Sequence, residues 1–228
     1  MKSLFFSDIV GYSQMVSKDE SHALNLLDEH DIILKKHIND NDGSIIKHIG
    51  DAIFAQFKNP QSLVNASLNI QKELKVRNET LPDSDRIIIR IGLHHGEVIE
   101  KDGDLFGNEV NLCSRIESIA IPGGIACSEI FFSEVNNVFS RSYGFVKLKN
   151  IPKPQKIHRI YNDELEYNSD SPQDLLLLLN DRNVNVVETD DIVLDYKTVA
   201  FLYPQNLGEK DQDFFCFEFL QQLINDSN

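Results

Sequence analysis

Three observations predict an α+β fold with a ferredoxin-like βαββαβ core. Hydrophobic runs of strand type and helix type follow one another in the order strand, helix, hairpin, helix, strand. Two β-type runs, IIKHI (45–49) and AIFAQF (52–57), are separated only by Gly50-Asp51, the spacing of a tight hairpin. The charge is also divided: residues 1–162 hold 21 acidic and 19 basic side chains, residues 163–228 hold 15 and 3. The expected domain therefore ends near 162, as one antiparallel sheet with helices packed on one face.

Each element follows from local chemistry. Residues 2–8 (KSLFFSD) read as a buried strand ending in an acid. Gly11 breaks it, and one helix is expected to about residue 39, with Leu24, Leu27, Leu34 and Ile38 on its apolar face. Asn41-Asp42-Gly43 stops that helix before the 45–57 hairpin. Pro60 opens a second helix that buries Leu63, Ala66, Ile70 and Leu74. A second strand pair is expected at 87–95 and 97–100, around Gly96. Val110, Leu112, Ile116 and Ile119 then carry a helix over 108–119, ended by Pro122-Gly123-Gly124. A strand at 125–127, a short helix at 128–136 and strands at about 143–149 and 157–161 complete the region. Residues 163–172 (DELEYNSDSP) read as a polar linker. Residues 163–196 as a whole read as an acidic linker and helical extension, and 197–228 as a partial C-terminal segment.

Composition narrows the function. With 41% hydrophobic and 25% charged residues the chain resembles an ordinary globular protein. A net charge of −14 excludes a generic nucleic-acid or anionic-lipid binder. Cys113, Cys127 and Cys216 have neither disulfide-framework nor zinc spacing, so a reducing compartment is expected. No run is long enough to cross a bilayer, so no direct membrane insertion and a cytoplasmic location are expected.

Several side chains could carry chemistry. Asp8 ends a strand next to a glycine turn and a helix start, a setting for a cation and a phosphate. Asp51 sits in the hairpin turn, and the expected sheet brings that turn to the end of strand 2–8. Two carboxylates there would suit Mg²⁺ or Mn²⁺. Asn111 and Arg115, four apart, share a helix face and could together orient a ribose and neutralise a phosphoryl group. Taken singly, each has a plain structural reading: Asp8 as a cap, Asp51 as a turn residue, Arg115 as a surface ion pair. His94 and His95 read as packing or interface residues, and Cys113 as a small core residue.

Taken together, these segments resemble the catalytic domain of class III nucleotidyl cyclases. FFSDIVGYS is similar to that family's first metal motif, and IIKHIGDAIFAQF to its Lys-x-x-Gly-Asp hairpin. IRIGLHHGEVI is similar to its Gly-Ile/Leu-His-x-Gly strand, and DLFGNEVNLCSRIES followed by PGGIACSE to its catalytic helix and next strand. The resemblance covers residues 3–161 in the family's order and spacing. It implies that Asp8, Asp51 and the backbone of Ile9 bind two divalent cations, Mg²⁺ or Mn²⁺. Lys47 and Asp104 would read adenine, and guanylyl cyclases typically carry Glu and Cys-type residues there. Asn111 would orient the ribose and Arg115 would stabilise the transition state. Lys156, or Lys153 three residues earlier, would contact the triphosphate.

The implied reaction is conversion of ATP to cyclic AMP and pyrophosphate, a signalling activity. The chain has one copy of each residue type and the family builds its site between two domains, so a head-to-tail homodimer is implied. The alternatives are a guanylate or dual-specificity cyclase and a catalytically silent nucleotide-binding regulatory module. Residues 197–224 resemble the start of a TolB-like segment, which would imply a regulatory or partner-binding extension.

Overall fold

The fold is given by a computed structural model that describes residues 1–187. The TolB-like stretch and the end of the acidic extension lie outside the described residues. Strand β1 (Lys2–Ile9) is an interior strand of the sheet, nearly all of it buried. Its alternation sends Phe5 and Ile9 to one face and Leu4 and Phe6 to the other, so both faces need cover.

Where one helix was expected there are two, α1 (Tyr12–Lys18) and α2 (Glu20–Asp40). Asp19, extended at φ −154°, ends the first, and its carboxylate caps the second by accepting from the His22 N–H. The buried stripe of α2 also differs from expectation. It runs through Ala23, Leu26, His30, Ile33, Leu34 and Ile38, while Leu24 is half exposed. The stripe keeps one continuous helical period, which Leu24 and Leu27 do not.

Strands β2 (Gly43–Ile49) and β3 (Ala52–Phe57) form the expected hairpin, with Ile49 opposite Ala52 and Gly50 at φ 66°. Helix α3 (Pro60–Asn78) starts at the Asn59 cap and buries Leu63, Ala66, Ile70 and Leu74 as expected. Strand β4 (Ile89–Gly96) then pairs with β1 over its whole length. The expected partner strand after Gly96 does not join the sheet. Instead β5 (Ile99–Lys101) and β6 (Asp104–Phe106) make a separate hairpin around Asp102-Gly103, both at positive φ.

Helix α4 (Asn108–Ile119) crosses to β7 (Ile125–Ser128), and α5 (Glu129–Phe132), β8 (Phe139–Val146) and β9 (Gln155–Tyr161) follow. Helices α6 (Glu164–Ser169) and α7 (Pro172–Asp181) lead to a short edge strand, β10 (Val186–Val187).

The sheet order is β10-β8-β9-β7-β4-β1-β3-β2. Its β4-β1-β3-β2 half is the predicted ferredoxin-like core. Two details correct the expectation. The sheet is mixed, because the α4 crossover returns β7 parallel to β4. Helices also cover both faces: α2 and α3 enclose Phe5, Ile53, Phe57 and Ile91, while α4 covers Leu4, Phe6 and Phe54 through Cys113. An apolar strand buried on both sides needs that arrangement.

Residues 163–172 are folded onto β8 and β9. Arg159 donates to Glu166 and Asp170 at 2.7 Å each, and the Tyr161 hydroxyl donates to Asp170 at 2.5 Å. The acids that looked like a linker are partners for these groups.

Helix α4 lies very close to β4. A Cβ on Gly92 would stand 2.3 Å from the backbone nitrogen of Glu117. Backbone cannot swing aside as a flexible side chain can. Gly92→Ala is therefore expected to displace α4 and cost about 1–3 kcal/mol of stability. Urea denaturation checks this, and a wild-type midpoint would contradict the close contact.

Candidate active site

The end of β1 carries Asp8, and the register places Arg90 of β4 directly opposite. The Arg90 guanidinium grips both carboxylate oxygens. Nε donates to Oδ1 at 2.9 Å and a terminal nitrogen donates to Oδ2. Asp51 arrives from the β2–β3 turn, and its Oδ2 accepts the Ile9 N–H at 2.9 Å. The two predicted carboxylates are thus carried to one corner of the sheet. The Ile9 N–H is used by Asp51, which leaves its carbonyl as the group able to meet a cation.

A third carboxyl joins them. Glu117 is nearly buried on α4, with Oε1 3.2 Å from Arg90 Nε. Burial, then hydrogen bonding to Asp8 and the charges of Asp8 and Asp51, push its carboxyl up to about 9 against the pull of Arg90. Asp8, Asp51 and the Ile9 carbonyl bring oxygen donors to this corner, the donor type a hard divalent cation takes. Among the described residues, no three acidic, histidine or cysteine side chains already stand grouped as ligands.

Lys47 and Asp104 meet on the same face as α4. A β-bulge between Ile45 and Lys47 shifts the lysine, and the Asp102-Gly103 turn delivers Asp104. Lys47 Nζ donates to Asp104 Oδ2 at 2.5 Å, and the Leu105 N–H donates to Oδ1 at 2.8 Å. The lysine hydrogen bond holds the Asp104 carboxyl below its ordinary range. Nζ also lies 5.9 Å and 5.7 Å from the Phe54 and Phe106 ring centres. The pair is partly exposed, so its outer edges can meet a flat polar ligand.

Asn111 is exposed on α4 and Arg115 is half-buried one turn on. Neither side chain makes a hydrogen bond or ion pair among the described residues. Within one chain neither is joined in this way to Asp8 or Asp51. Lys156, on β9, has its Nζ 3.2 Å from Glu129 Oε2, an oxygen that also bonds His158. Burial acts to raise Glu129, but His158 and Lys156 outweigh it and hold the carboxyl low. Lys153 lies in the turn before β9.

Sequence reasoning missed Arg90, Glu117, Glu109 and Glu129. The available signal was strand parity: Arg90, Gly92 and His94 share the α4 face with Asp8, so any charge on that parity faces it. The two histidines sit as expected of packing residues. His94 is fully buried, and the His95 ring lies 3.0 Å from Ser3 Oγ.

Burial lowers the pKa of both. For His94 burial outweighs the raising effect of Glu109, while neighbouring His95 lowers it further. Their contribution to stability has a definite sign. Below about pH 6.5 the unfolded chain takes up protons that these folded rings refuse, so stability falls as the pH drops through that value. The low carboxyls of Glu29, Glu73 and Glu129 lose their contribution only at more acidic pH. Histidine Cε1–H titration by NMR should show both rings titrating below the ordinary histidine value. An upward shift of either would contradict the assignment.

The profile of the adenylate and guanylate cyclase catalytic domain matches residues 2–162. A Rhizobium meliloti protein is 30% identical over 162 residues, which cover 69% of this chain and 27% of its own. An adenylate/guanylate cyclase/hydrolase from Silicibacter pomeroyi is 30% identical in structure-based alignment, with TM-score 0.63, over 70% of this chain and 95% of that one. The adenylyl cyclase CyaB from P. aeruginosa shares the fold at 23% identity and TM-score 0.61, over 72% and 95%. The chain spans less than half the length of the curated relatives it matches. Among the described residues no helix is long and apolar enough to cross a membrane. With its ferredoxin-like core, its paired aspartates and a family match over residues 2–162, this chain belongs to the class III adenylate and guanylate cyclase catalytic domain family.

Proposed function

We propose that the chain converts ATP to 3′,5′-cyclic AMP and pyrophosphate at a site shared by two copies. The observation that carries this reading is the Lys47–Asp104 pair, preformed at 2.5 Å. An ammonium donates to adenine N1, and a carboxylate accepts from the exocyclic amine. Guanine, with a donor at N1 and a carbonyl at position 6, mismatches both.

The remaining roles follow from chemistry and placement. Asp8, Asp51 and the Ile9 carbonyl would hold two Mg²⁺ or Mn²⁺ ions. Bound there, such ions supply charge neutralisation and an acidified ribose hydroxyl. Asn111 orients the ribose. Arg115, whose side chain has no hydrogen-bond or ion-pair partner among the described residues, neutralises charge on the α-phosphoryl oxygens. Lys156 exchanges Glu129 for the β- and γ-phosphates, while His158 keeps the carboxylate satisfied. The 3′-oxygen bonds to the α-phosphorus, its proton passes to solvent water, and the bond to the β-phosphate oxygen breaks to release pyrophosphate. Positioning and electrostatics account for the rate, and no covalent protein intermediate is needed.

Sharing between copies is supported by the lack of any polar bond, among the described residues, from Asn111 or Arg115 to the aspartates. Asp8 and Asp51 form one group, while Asn111 and Arg115 point no polar bond toward it. A twofold arrangement supplies the missing half from the partner. ATP is an intracellular metabolite, which supports a cytoplasmic site of action.

The test is product analysis. The full chain is incubated with ATP or GTP and Mn²⁺ or Mg²⁺, and cyclic nucleotide is resolved by chromatography. Cyclic AMP from ATP, absent with Asp8→Ala, is expected. No cyclic AMP from wild type, or equal amounts from the variant, overturns the reading. Cyclic GMP as the main product assigns a guanylate cyclase.

A further inference from the structure

Helix α4 begins without a side-chain cap. Its N-cap is Gly107, at φ 131°, and the first helical bond, Asn111 N–H to the Gly107 carbonyl, is long at 3.4 Å. Something else must hold the turn that carries Asn111. The first turn contains Glu109, whose Oε2 lies 2.5 Å from His94 Nε2. His94 is fully buried on β4, and its Nδ1 lies 2.7 Å from Ser128 Oγ at the end of β7. Ser128 Oγ also accepts the Phe131 N–H at 3.2 Å.

These bonds have one self-consistent direction. Phe131 donates to Ser128, the Ser128 hydroxyl donates to Nδ1, and Nε2–H donates to the Glu109 carboxylate. Every buried donor and acceptor is satisfied when the imidazole is neutral. A protonated ring would turn Nδ1–H onto Ser128 Oγ and strand the serine proton in a buried place. The lowered pKa of His94 agrees with the neutral ring. The charged and titratable groups nearest it are Glu109 and His95.

A second, independent observation is steric. A Cβ on Gly96 would stand 2.8 Å from Glu109 Cγ and 2.9 Å from Oε2. The end of β4 is thus bare where the glutamate crosses it to reach His94. At the other end of α4, Gly92 receives Glu117 in the same way. The helix is held at two points, and Asn111 is two residues from the first.

We infer that Glu109 and His94 are positioning residues for Asn111: the Ser128–His94–Glu109 relay replaces the missing cap and sets the first turn of α4 over β4. This rests on the proposed role of Asn111 at the ribose. Neither Glu109 nor His94 touches substrate in this scheme. A displaced first turn misplaces the ribose hydroxyl more than it weakens grip on the base or phosphates.

The experiment compares wild type, Glu109→Ala and Glu109→Gln as full chains. It measures kcat and KM for ATP, and hydrogen exchange of the amides of residues 111–114, the first that are bonded within α4. Glu109→Ala leaves Nε2–H without an acceptor. It is expected to lower kcat by about 10- to 100-fold with KM within about threefold, and to lose protection at 111–114 while β1 and β4 keep theirs. Glu109→Gln retains an acceptor oxygen of the same reach and is expected to recover both. An unchanged kcat or unchanged protection in Glu109→Ala overturns the inference. So does a Glu109→Gln as impaired as Glu109→Ala, since that assigns the effect to charge. Loss of protection throughout the sheet also overturns it, by showing a general folding defect. Failure of the proposed function is visible separately, as a wild-type chain with no cyclase activity, and the exchange comparison still stands on its own.

Discussion

Lys47→Glu combined with Asp104→Cys is expected to lower kcat/KM for ATP by about 10²-fold or more and to raise it for GTP. The size comes from polar mismatch. With Glu at 47, adenine N1 and the carboxylate are both acceptors, and neither is satisfied once water is excluded. Guanine instead presents an N1–H and an exocyclic amine to that carboxylate, and its 6-oxo group to the thiol. Lys47 and Asp104 lie on separate hairpins joined by their own 2.5 Å bond. Each single variant therefore leaves an unpaired partner, and the double variant is the cleaner comparison. Steady-state kinetics with both nucleotides reads the result. Unchanged selectivity would show that the pair does not contact the base.

Arg115→Ala is expected to lower kcat by about 10²- to 10³-fold with a small change in KM, the usual scale for removing a donor aimed at developing charge. A folding explanation is easily excluded here. The Arg115 side chain makes no hydrogen bond or ion pair among the described residues, so its removal leaves none unsatisfied in the chain. Melting temperature should stay at the wild-type value. A thermal shift with unchanged kcat would reverse the assignment and make Arg115 a structural residue.

How legible these features were depended on how local their causes are. The 45–57 hairpin was legible because Gly50-Asp51 sets turn and register within a few residues. Helix α3 was legible from Asn59-Pro60 and its apolar period. The break at Asp19 was harder, because one aspartate ends α1 and caps α2 while the helical pattern runs through it. The faces of the sheet were not legible. Which side a helix covers depends on crossovers between distant strands, and β1 is apolar on both parities. Residues 163–172 read as a linker because their acids were counted without Arg141 and Arg159, which hold them from two other strands.

The site shows the same division. Asp8, Asp51 and the Asn111–Arg115 spacing could be read from position in the elements. Lys47, Asp104 and Lys156 came only from the family resemblance, although Asp102-Gly103 was a readable turn signal beside one of them. Arg90 and Glu117 escaped notice because an arginine on a strand and a glutamate on a helix look like surface residues. Only the register Asp8↔Arg90 and the close approach at Gly92 make them neighbours.

In the proposed dimer each site takes Asp8 and Asp51 from one copy and Arg115 from the other. Mixing inactive Asp8→Ala with inactive Arg115→Ala tests it most directly. In mixed dimers one of the two sites carries both defects and the other carries neither. Free exchange of copies is therefore expected to restore roughly a quarter of wild-type cyclic nucleotide formation. If the mixture stays inactive while differently tagged copies are recovered together, the shared site is contradicted.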